Sequence, residues 1–541
     1  MATMIDQPME VPSSVDVVIV GNGPSALILS FILHGHVPYY NASRPHPDPI
    51  LHTKLSESPC LLDIDADELT AHFAASRLCY STQALPVNVL LDTLVRPLAD
   101  TDPGKYETCV EWRFEEEKAV SHIVLGNTAD AGGQWADNPV SASWDIETLS
   151  YAEMLSLPGY SFEDHHRHRN GKLVPDFHRP TRREVADYLA TYPHAVSIQD
   201  SIYTNVEVGE IFRTHEGFHI GSHNIVCKYI VLASGVFSRL IPPRPLLRPL
   251  SALPSANHTN EAPRLVVGSG FTAADVIIST PPRDKIIHIF KWDPENRPSP
   301  LRACHPRAYP EYAKIYRHMK LASMNIDTHN VTSPTRIRKS NPFFQDRDWD
   351  EVYEGLPNTH IKAIEMRNDH ALLTLEASDG SILERTISGM DYVIGRRGSL
   401  DYLDKGLLEE IDISVGQPPP NYSLISGQTL RLNAERSIEL APGIFAIGSL
   451  TGDSLIRFAY GGCVSAAQQI MRPSQSRPGT MESSPTGSSA SLSTAPSSPI
   501  DLHADFQDNC LRTGGHSDLH LDRSTRPKLI MEDTVADMQP A

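Results

Sequence analysis

Seven cysteines stand in 541 residues, and none belongs to a C-x-x-C pair. Cys60, Cys79, Cys109, Cys227, Cys304, Cys463 and Cys510 are odd in number and scattered. That excludes a disulfide scaffold and the redox-disulfide pattern of many flavoenzymes, and it suits a reduced, cytoplasmic setting. No apolar run reaches the ~18–20 residues of a transmembrane helix, so no membrane span is expected. The apolar run near the N-terminus lacks a basic flank and is broken by a glycine turn, so it does not read as a signal peptide. Positive charge is short: 47 Lys and Arg face 66 Asp and Glu, a formal net charge of −19. That balance argues against a nucleic-acid partner and against anionic membrane. Metal chemistry lacks ligands as well. The run His165-His166-Arg167-His168-Arg169 has no Cys or carboxylate at ligand spacing and reads as a solvated loop.

Against those absences stands one organised stretch, Val17 to Gly35. Four apolar residues run into Gly21-Asn22-Gly23-Pro24-Ser25-Ala26, and a second apolar run, Leu27 to Leu33, stops before Gly35. This reads as a buried parallel strand, a tight turn and a buried helix, with the spacing G-x-G-x-x-A. Gly21 allows the sharp turn. Gly23 has no Cβ, so a pyrophosphate can approach the backbone. Ala26 lets the helix lie close to the strand, and the helix N-terminus offers free N–H groups to phosphate. An acidic residue usually ends the following strand and binds a ribose hydroxyl. Here that strand reads as Val37 to Tyr40 and ends at Asn41.

The grammar recurs. Leu265-Val266-Val267 leads into Gly268-Ser269-Gly270-Phe271-Thr272-Ala273 and a second helix. Its next strand, Ile286 to Phe290, ends at Lys291, with Arg297 close behind. Basic residues at that end favour a 2′-phosphate, hence NADPH over NADH. Between the two turns, Gly132-Gly133-Gln134-Trp135 permits close backbone approach beside a flat aromatic wall, and Ile230 to Gly235 is a strand ending in glycine. A late strand, Gly443 to Gly448, is followed by Asp453 and a helix-like run from Cys463 to Met471.

The remaining signals are local. Asp63-Ile64-Asp65 precedes a short helix through Leu69 and Phe73, and Pro86 opens another with Val89, Leu90 and Leu94 on one face. Val110–Phe114 and Ile123–Leu125 read as strands, with Glu115–Lys118 a charged turn between them. Thr181-Arg182-Arg183-Glu184 is a capping box, and Leu372–Ile387 a hairpin turning at Asp379-Gly380. Residues 298–344 show no clear period and, by position, line the substrate pocket. From Arg472 to Ala541 Ser, Pro, Thr and Gly take over at first, and the segment reads as a disordered tail.

Two fingerprints in order, the G-G-x-W between them and the late F-A-I-G strand resemble the class B flavin monooxygenases. The wording Leu155-Ser156-Leu157-Pro158-Gly159, Tyr309-Pro310-Glu311-Tyr312 and, above all, Gly452-Asp453-Ser454-Leu455-Ile456-Arg457-Phe458 with Gly461-Gly462 resembles the oxidative-stress-induced growth inhibitor family within that superfamily. The resemblance covers most of residues 15–471. It implies an α/β fold with two dinucleotide-binding, Rossmann-like domains, the NADPH-type domain inserted in the FAD domain. The divisions are 1–14 as a flexible N-terminus, 15–260 and 401–471 as the two parts of the FAD domain, and 261–400 as the NADPH-type domain. It implies FAD at Gly21, Gly23, Pro24, Ser25, Gly132, Gly133, Gln134, Trp135, Gly235, Gly448 and Asp453. NADPH falls to Gly268, Gly270, Thr272, Lys291 and Arg297. The implied reaction is monooxygenation: NADPH reduces FAD, O2 adds at flavin C4a, and one oxygen atom passes to a small-molecule substrate. Two departures matter. The signature F-x-G-x-x-x-H is absent from residues 242–263, and the late strand ends Gly448-Ser449 where many relatives have Gly-Asp, leaving Asp453 as the substitute. These keep two alternatives open: a flavin-fold regulatory protein, and a flavin dehydrogenase or oxidase without oxygen transfer.

Overall fold

A computed structural model describes residues 11–71, 84–98, 107–138, 140–253, 262–324, 347–413 and 424–472. The expected tail from 473 onward, Phe73, Cys79 and Cys510 lie outside those residues.

The chain opens with β1 (Ser14–Val20) and α1 (Pro24–Leu33). Pro24 pre-sets the first helical φ, and its missing N–H costs nothing at a helix start. Next come β2 (His36–Tyr40), α2 (Pro49–Glu57), α3 (Ala66–Thr70), α4 (Pro86–Val95), β3 (Val110–Phe114) and β4 (His122–Leu125). The first half is completed by α5 (Phe162–Asn170), α6 (Arg182–Ala195), β5 (Ile202–Tyr203), β6 (Ile211–Thr214), β7 (Gly217–Ile220) and β8 (Ile225–Leu232). The expected capping box at Thr181 and Glu184 opens α6. The histidine run is a correction: residues 165–169 are not a loop but the body of α5, started by a Ser161–Asp164 capping box and ended by Gly171 at φ +66°. His165 is buried there and pairs with Asp187 at 3.0 Å.

A crossing strand, β9 (Arg239–Leu240), leads to β10 (Arg264–Val267), α7 (Phe271–Ser279), β11 (Ile286–Phe290), α8 (Pro310–Ser323), α9 (Trp349–Val352) and β12 (Tyr353–Pro357). The helix α8 falls inside the stretch that showed no clear period. Its buried residues are Glu311, Tyr312, Ile315 and Met319, a single helical face. Three antiparallel strands follow: β13 (His360–Arg367), β14 (His370–Glu376) and β15 (Ile382–Ile387), the last two joined by the expected turn. Then β16 (Gly389–Tyr392) and β17 (Arg396–Ser399) return the chain to α10 (Lys405–Glu410), β18 (Leu424–Ile425), α11 (Arg431–Arg436), β19 (Glu439–Ala441), β20 (Ile444–Ala446) and α12 (Tyr460–Met471).

Two sheets carry parallel strands. The first runs β19-β20-β8-β1-β4-β5, with β1 parallel to both β4 and β8. It takes strands from both sides of the second sheet, β12-β11-β10-β16, whose neighbours are all parallel. β1 feeds two cores. Val17 and Ile19 pack with α1, α4 and α12 on one face, and Val18 and Val20 with β6–β8 on the other. In the second sheet Val266 faces α7 and α8, and Leu265 faces β13–β15. Both faces of both sheets are covered, which is why these strands read as continuous apolar runs. Among the described residues no helix is long and apolar enough to cross a membrane.

Candidate functional site: two glycine turns

Each parallel sheet presents a glycine turn at the carboxyl edge of its central strand, and the two turns share their geometry. In the first, the Gly21 amide donates to Leu125 O at 2.7 Å and Ala233 N donates to Val20 O at 2.9 Å. In the second, Gly268 N donates to Ile289 O at 3.0 Å and Val393 N to Val267 O at 2.9 Å. Gly21 has φ +110° and Gly268 φ +153°. A Cβ on Gly21 would lie 2.5 Å from Ala233 O, and one on Gly268 2.4 Å from Val393 O. Only glycine fits either place. The second glycines differ. Gly23 and Gly270 take extended N-cap conformations. A Cβ on Gly23 would meet nothing within 4 Å, and one on Gly270 only Pro300, at 4.0 Å. Neither is glycine for want of room inside the protein. The open space before each lies at a helix N-terminus, where an anion is favoured.

The residues assigned to FAD largely converge on the first turn. Gly132 N donates to Asn22 O at 2.8 Å, and a Cβ on Gly133 would stand 3.0 Å from Gly23 Cα. A Cβ on Gly448 would lie 2.4 Å from Ser25 Oγ. Gly235, at φ +70°, lies beside Ser449, whose Oγ accepts from Val236 N at 3.1 Å. Pro24 is the first helical residue, and Gln134 and Trp135 form a single turn of 3-10 helix behind Gly133.

Asp453 does not join them, and its assignment as a flavin ligand is corrected. It is buried, and both carboxylate oxygens are taken. Oδ2 accepts from Leu85 N at 2.8 Å and from Asn88 Nδ2 at 2.5 Å, and Oδ1 from Arg431 Nη1 at 2.8 Å. Asn88 Oδ1 in turn accepts from Gly462 N at 2.7 Å. Asp92, one turn further along α4, takes the guanidinium groups of Arg96 and Arg457 at 2.8 and 2.5 Å. The stretch Gly452–Gly462 thus fastens α4 to α12.

The ribose position is a second correction. The strand beside β1 is not Val37–Tyr40, which pairs antiparallel with β3 in a sheet of its own. It is β4, and the residue that follows its last position is Gly126. No side chain can project there, because a Cβ on Gly126 would stand 2.1 Å from the Asn22 side chain. Asn22 fills that place. Its Oδ1 accepts from Thr128 Oγ1 at 2.9 Å, and its Nδ2 donates to Asp130 O at 3.2 Å.

In the second unit β11 follows α7 directly, so Lys291 stands at the carboxyl end of the strand beside β10. It is exposed, with no ion pair among the described residues. Arg297 N donates to Asp293 O at 3.0 Å on the same loop. Thr272 lies in the first turn of α7. One supporting residue went unread in the sequence. His288, in the middle of β11 and fully buried, hydrogen-bonds Gly268 O through Nε2 at 2.6 Å and Tyr353 Oη through Nδ1 at 2.8 Å. Burial pushes its pKa down to about 4, so the ring is neutral and donates one proton to the glycine turn. Its signal was a histidine in an otherwise apolar five-residue strand. Among the described residues no group of His, Cys, Asp and Glu could hold a metal ion.

Comparison with known proteins gives similarity over most of the chain. No family model matches. The chain is 26% identical over 503 residues to mouse oxidative stress-induced growth inhibitor 1, covering 85% of this chain and 96% of that protein. It is 26% identical over 514 residues to human oxidative stress-induced growth inhibitor 2, covering 83% and 91%. Among solved structures it is similar to a flavin-containing monooxygenase from Stenotrophomonas maltophilia (13% identity, TM-score 0.44, 84% of this chain and 98% of that one). It is also similar to an ornithine hydroxylase from Pseudomonas aeruginosa (12% identity, TM-score 0.45, 85% and 99%).

Proposed function

We propose that the chain is an FAD-dependent, NADPH-using monooxygenase that transfers one oxygen atom from O2 to a small molecule. The observation that carries this reading is the pair of matched turns, each with unfilled space before a backbone glycine at a helix start. A scaffold could have filled either space with a methyl group at no steric cost. In this reading Gly21, Gly23 and Ser25 hold the FAD pyrophosphate, with Gly132, Gly133, Gly235 and Gly448 close around it. Gly268, Gly270 and Thr272 hold that of NADPH, with Lys291 and Arg297 at its 2′-phosphate. Bound flavin would supply the redox chemistry. The chain's own part is to position the two nucleotides at the carboxyl edges of the two sheets and to keep water from the reacting atoms.

Replacing Gly23 with Val fills the first space without straining the backbone. Gly23→Val is expected to purify folded and colourless, while the wild type is yellow and its flavin is bleached by NADPH. A folded variant that keeps full flavin would refute the assignment. A second reading, a flavin-fold protein acting through partners, draws on Gly126, where a ribose-binding carboxylate is expected, and on the growth-inhibitor names of the relatives. It gains if NADPH leaves the wild-type flavin oxidised. Release of hydrogen peroxide alone with every substrate tried would make the protein an oxidase.

A further inference from the structure

Two successive carbonyls of the second glycine turn are held by side chains. Gly268 O accepts from His288 Nε2 at 2.6 Å, and Ser269 O accepts from Ser299 Oγ at 2.6 Å. Both side chains are buried. Ser299 is itself fixed, because its Oγ accepts from Leu301 N at 3.3 Å at the start of a 3-10 turn, Pro300–Ala303. A peptide unit is planar and trans, so fixing a carbonyl also fixes the N–H across the same plane. The two planes held here carry the amides of Ser269 and Gly270. Neither amide has an acceptor among the described residues. The first turn holds the matching carbonyl by other means. Asn22 O, the counterpart of Ser269 O, accepts from the backbone amide of Gly132 at 2.8 Å. Ser299 does with a hydroxyl what the first turn does with main chain. It also closes the loop that begins at Lys291. That loop is stiffened from within: Arg297 N donates to Asp293 O at 3.0 Å, and Arg302 Nη1 donates to Pro294 O at 2.9 Å.

We propose that Ser299 and His288 are positioning residues of the second nucleotide site, holding the amides of Ser269 and Gly270 ready for the pyrophosphate of a nicotinamide dinucleotide. The inference rests on the two-nucleotide reading for the identity of that ligand. Each side chain acts through the carbonyl it holds rather than by touching the ligand. A turn held in this way has little freedom left to lose when the anion arrives, and that saving appears as affinity.

Ser299→Ala tests the inference, because it removes one hydroxyl and leaves both glycines, Lys291 and Arg297 in place. Calorimetric titration of the full chain with NADP+ reads the affinity. The wild type is expected to bind. Ser299→Ala should weaken binding roughly twofold to tenfold, the worth of one hydrogen bond, and Ser299→Thr should keep most of the affinity. His288→Asn, too short to reach Gly268 O, should act in the same direction. The Ser299→Ala factor should be the same in a Lys291→Ala background, since the hydroxyl works on the turn and not on the 2′-phosphate. Equal affinity of wild type and Ser299→Ala overturns the proposal, as does a wild type that binds no NADP+. So does a factor that vanishes without Lys291, or a fall in melting temperature with no loss of affinity, which would leave Ser299 a structural residue. Flavin reduction by NADPH is followed alongside. If NADPH leaves the flavin oxidised while the titrations still separate the variants, the monooxygenase reading fails and the positioning role stands. If NADPH reduces the flavin and the variants bind alike, the reverse holds.

Discussion

Replacing Asp453 with Ala decides whether the most distinctive stretch of the sequence serves a ligand or the fold. The substitution strands the amide of Leu85 and the side-chain amide of Asn88, both buried at the start of α4. A buried donor left without a partner costs about 1–3 kcal/mol. Arg431 is less exposed to the loss, because it also holds Glu435 at 2.8 Å and reaches Thr451 O. Two stranded donors give about 2–6 kcal/mol, and the weakened ion pair adds to that. Asp453→Asn should cost less. Burial raises the Asp453 pKa, so its charge is already expensive in place, and an amide oxygen standing where Oδ2 stood can keep both donors while the ion pair with Arg431 is lost. The assay is guanidinium denaturation of the flavin-free proteins, followed by far-UV circular dichroism. The expected order of midpoints is wild type, then Asp453→Asn, then Asp453→Ala. If Asp453→Ala leaves the midpoint within the error of the wild type and lowers only flavin content, the carboxylate is a cofactor ligand and the clamp is wrong.

Lys291→Ala should raise KM for NADPH roughly tenfold to a hundredfold and leave KM for NADH nearly unchanged, because a charged contact with the 2′-phosphate is worth about 1.5–3 kcal/mol; equal use of both nucleotides by the wild type would refute it. Acid should destabilise the protein in a defined window. Burial holds His46, His122, His288 and His318 at about 4, below the ordinary 6.5, so the unfolded chain takes up their protons first and stability falls as pH drops from about 6.5 towards 4. The buried carboxylates work the other way, losing stability as pH rises: Asp275 is raised to about 6, and burial raises Glu147 and Asp453 as well, so they offset part of what the four rings contribute. Denaturation midpoints at pH 5 and pH 7 check the sum, and His288→Asn should reduce the slope by at most ~1.4 kcal/mol per pH unit. A midpoint that does not fall at pH 5 would refute the burial of these rings.

Both turns were legible because strand, glycine spacing and helix are adjacent in sequence, and the geometry at Gly21 and Gly268 follows from local sterics alone. The ribose position was misread for the opposite reason. Residues 36–121 intervene between α1 and β4 and contain an antiparallel strand pair of their own, β2 with β3, so the next strand in sequence is not the next strand in space. The helix α8 was missed although Tyr312, Ile315 and Met319 keep its period, because Pro, Arg and His around them masked a narrow apolar face. Asp453 could not be placed from spacing at all. It holds residues brought to it by the tertiary fold.

The fastening of α4 by Asp453 also orders the events of synthesis. Leu85 waits for a carboxylate 368 residues further along the chain. The second sheet, from Arg264 to Tyr392, has all four strands long before β20 and α12 leave the ribosome. The glycine turn made first is therefore the one finished last, and its apolar strand and helix stand half-covered through most of translation. A message cut short between Asp404 and Glu439 would yield a chain whose inner sheet is complete and whose outer sheet still has an open edge at β8, the kind of surface that chaperones hold and aggregates grow from.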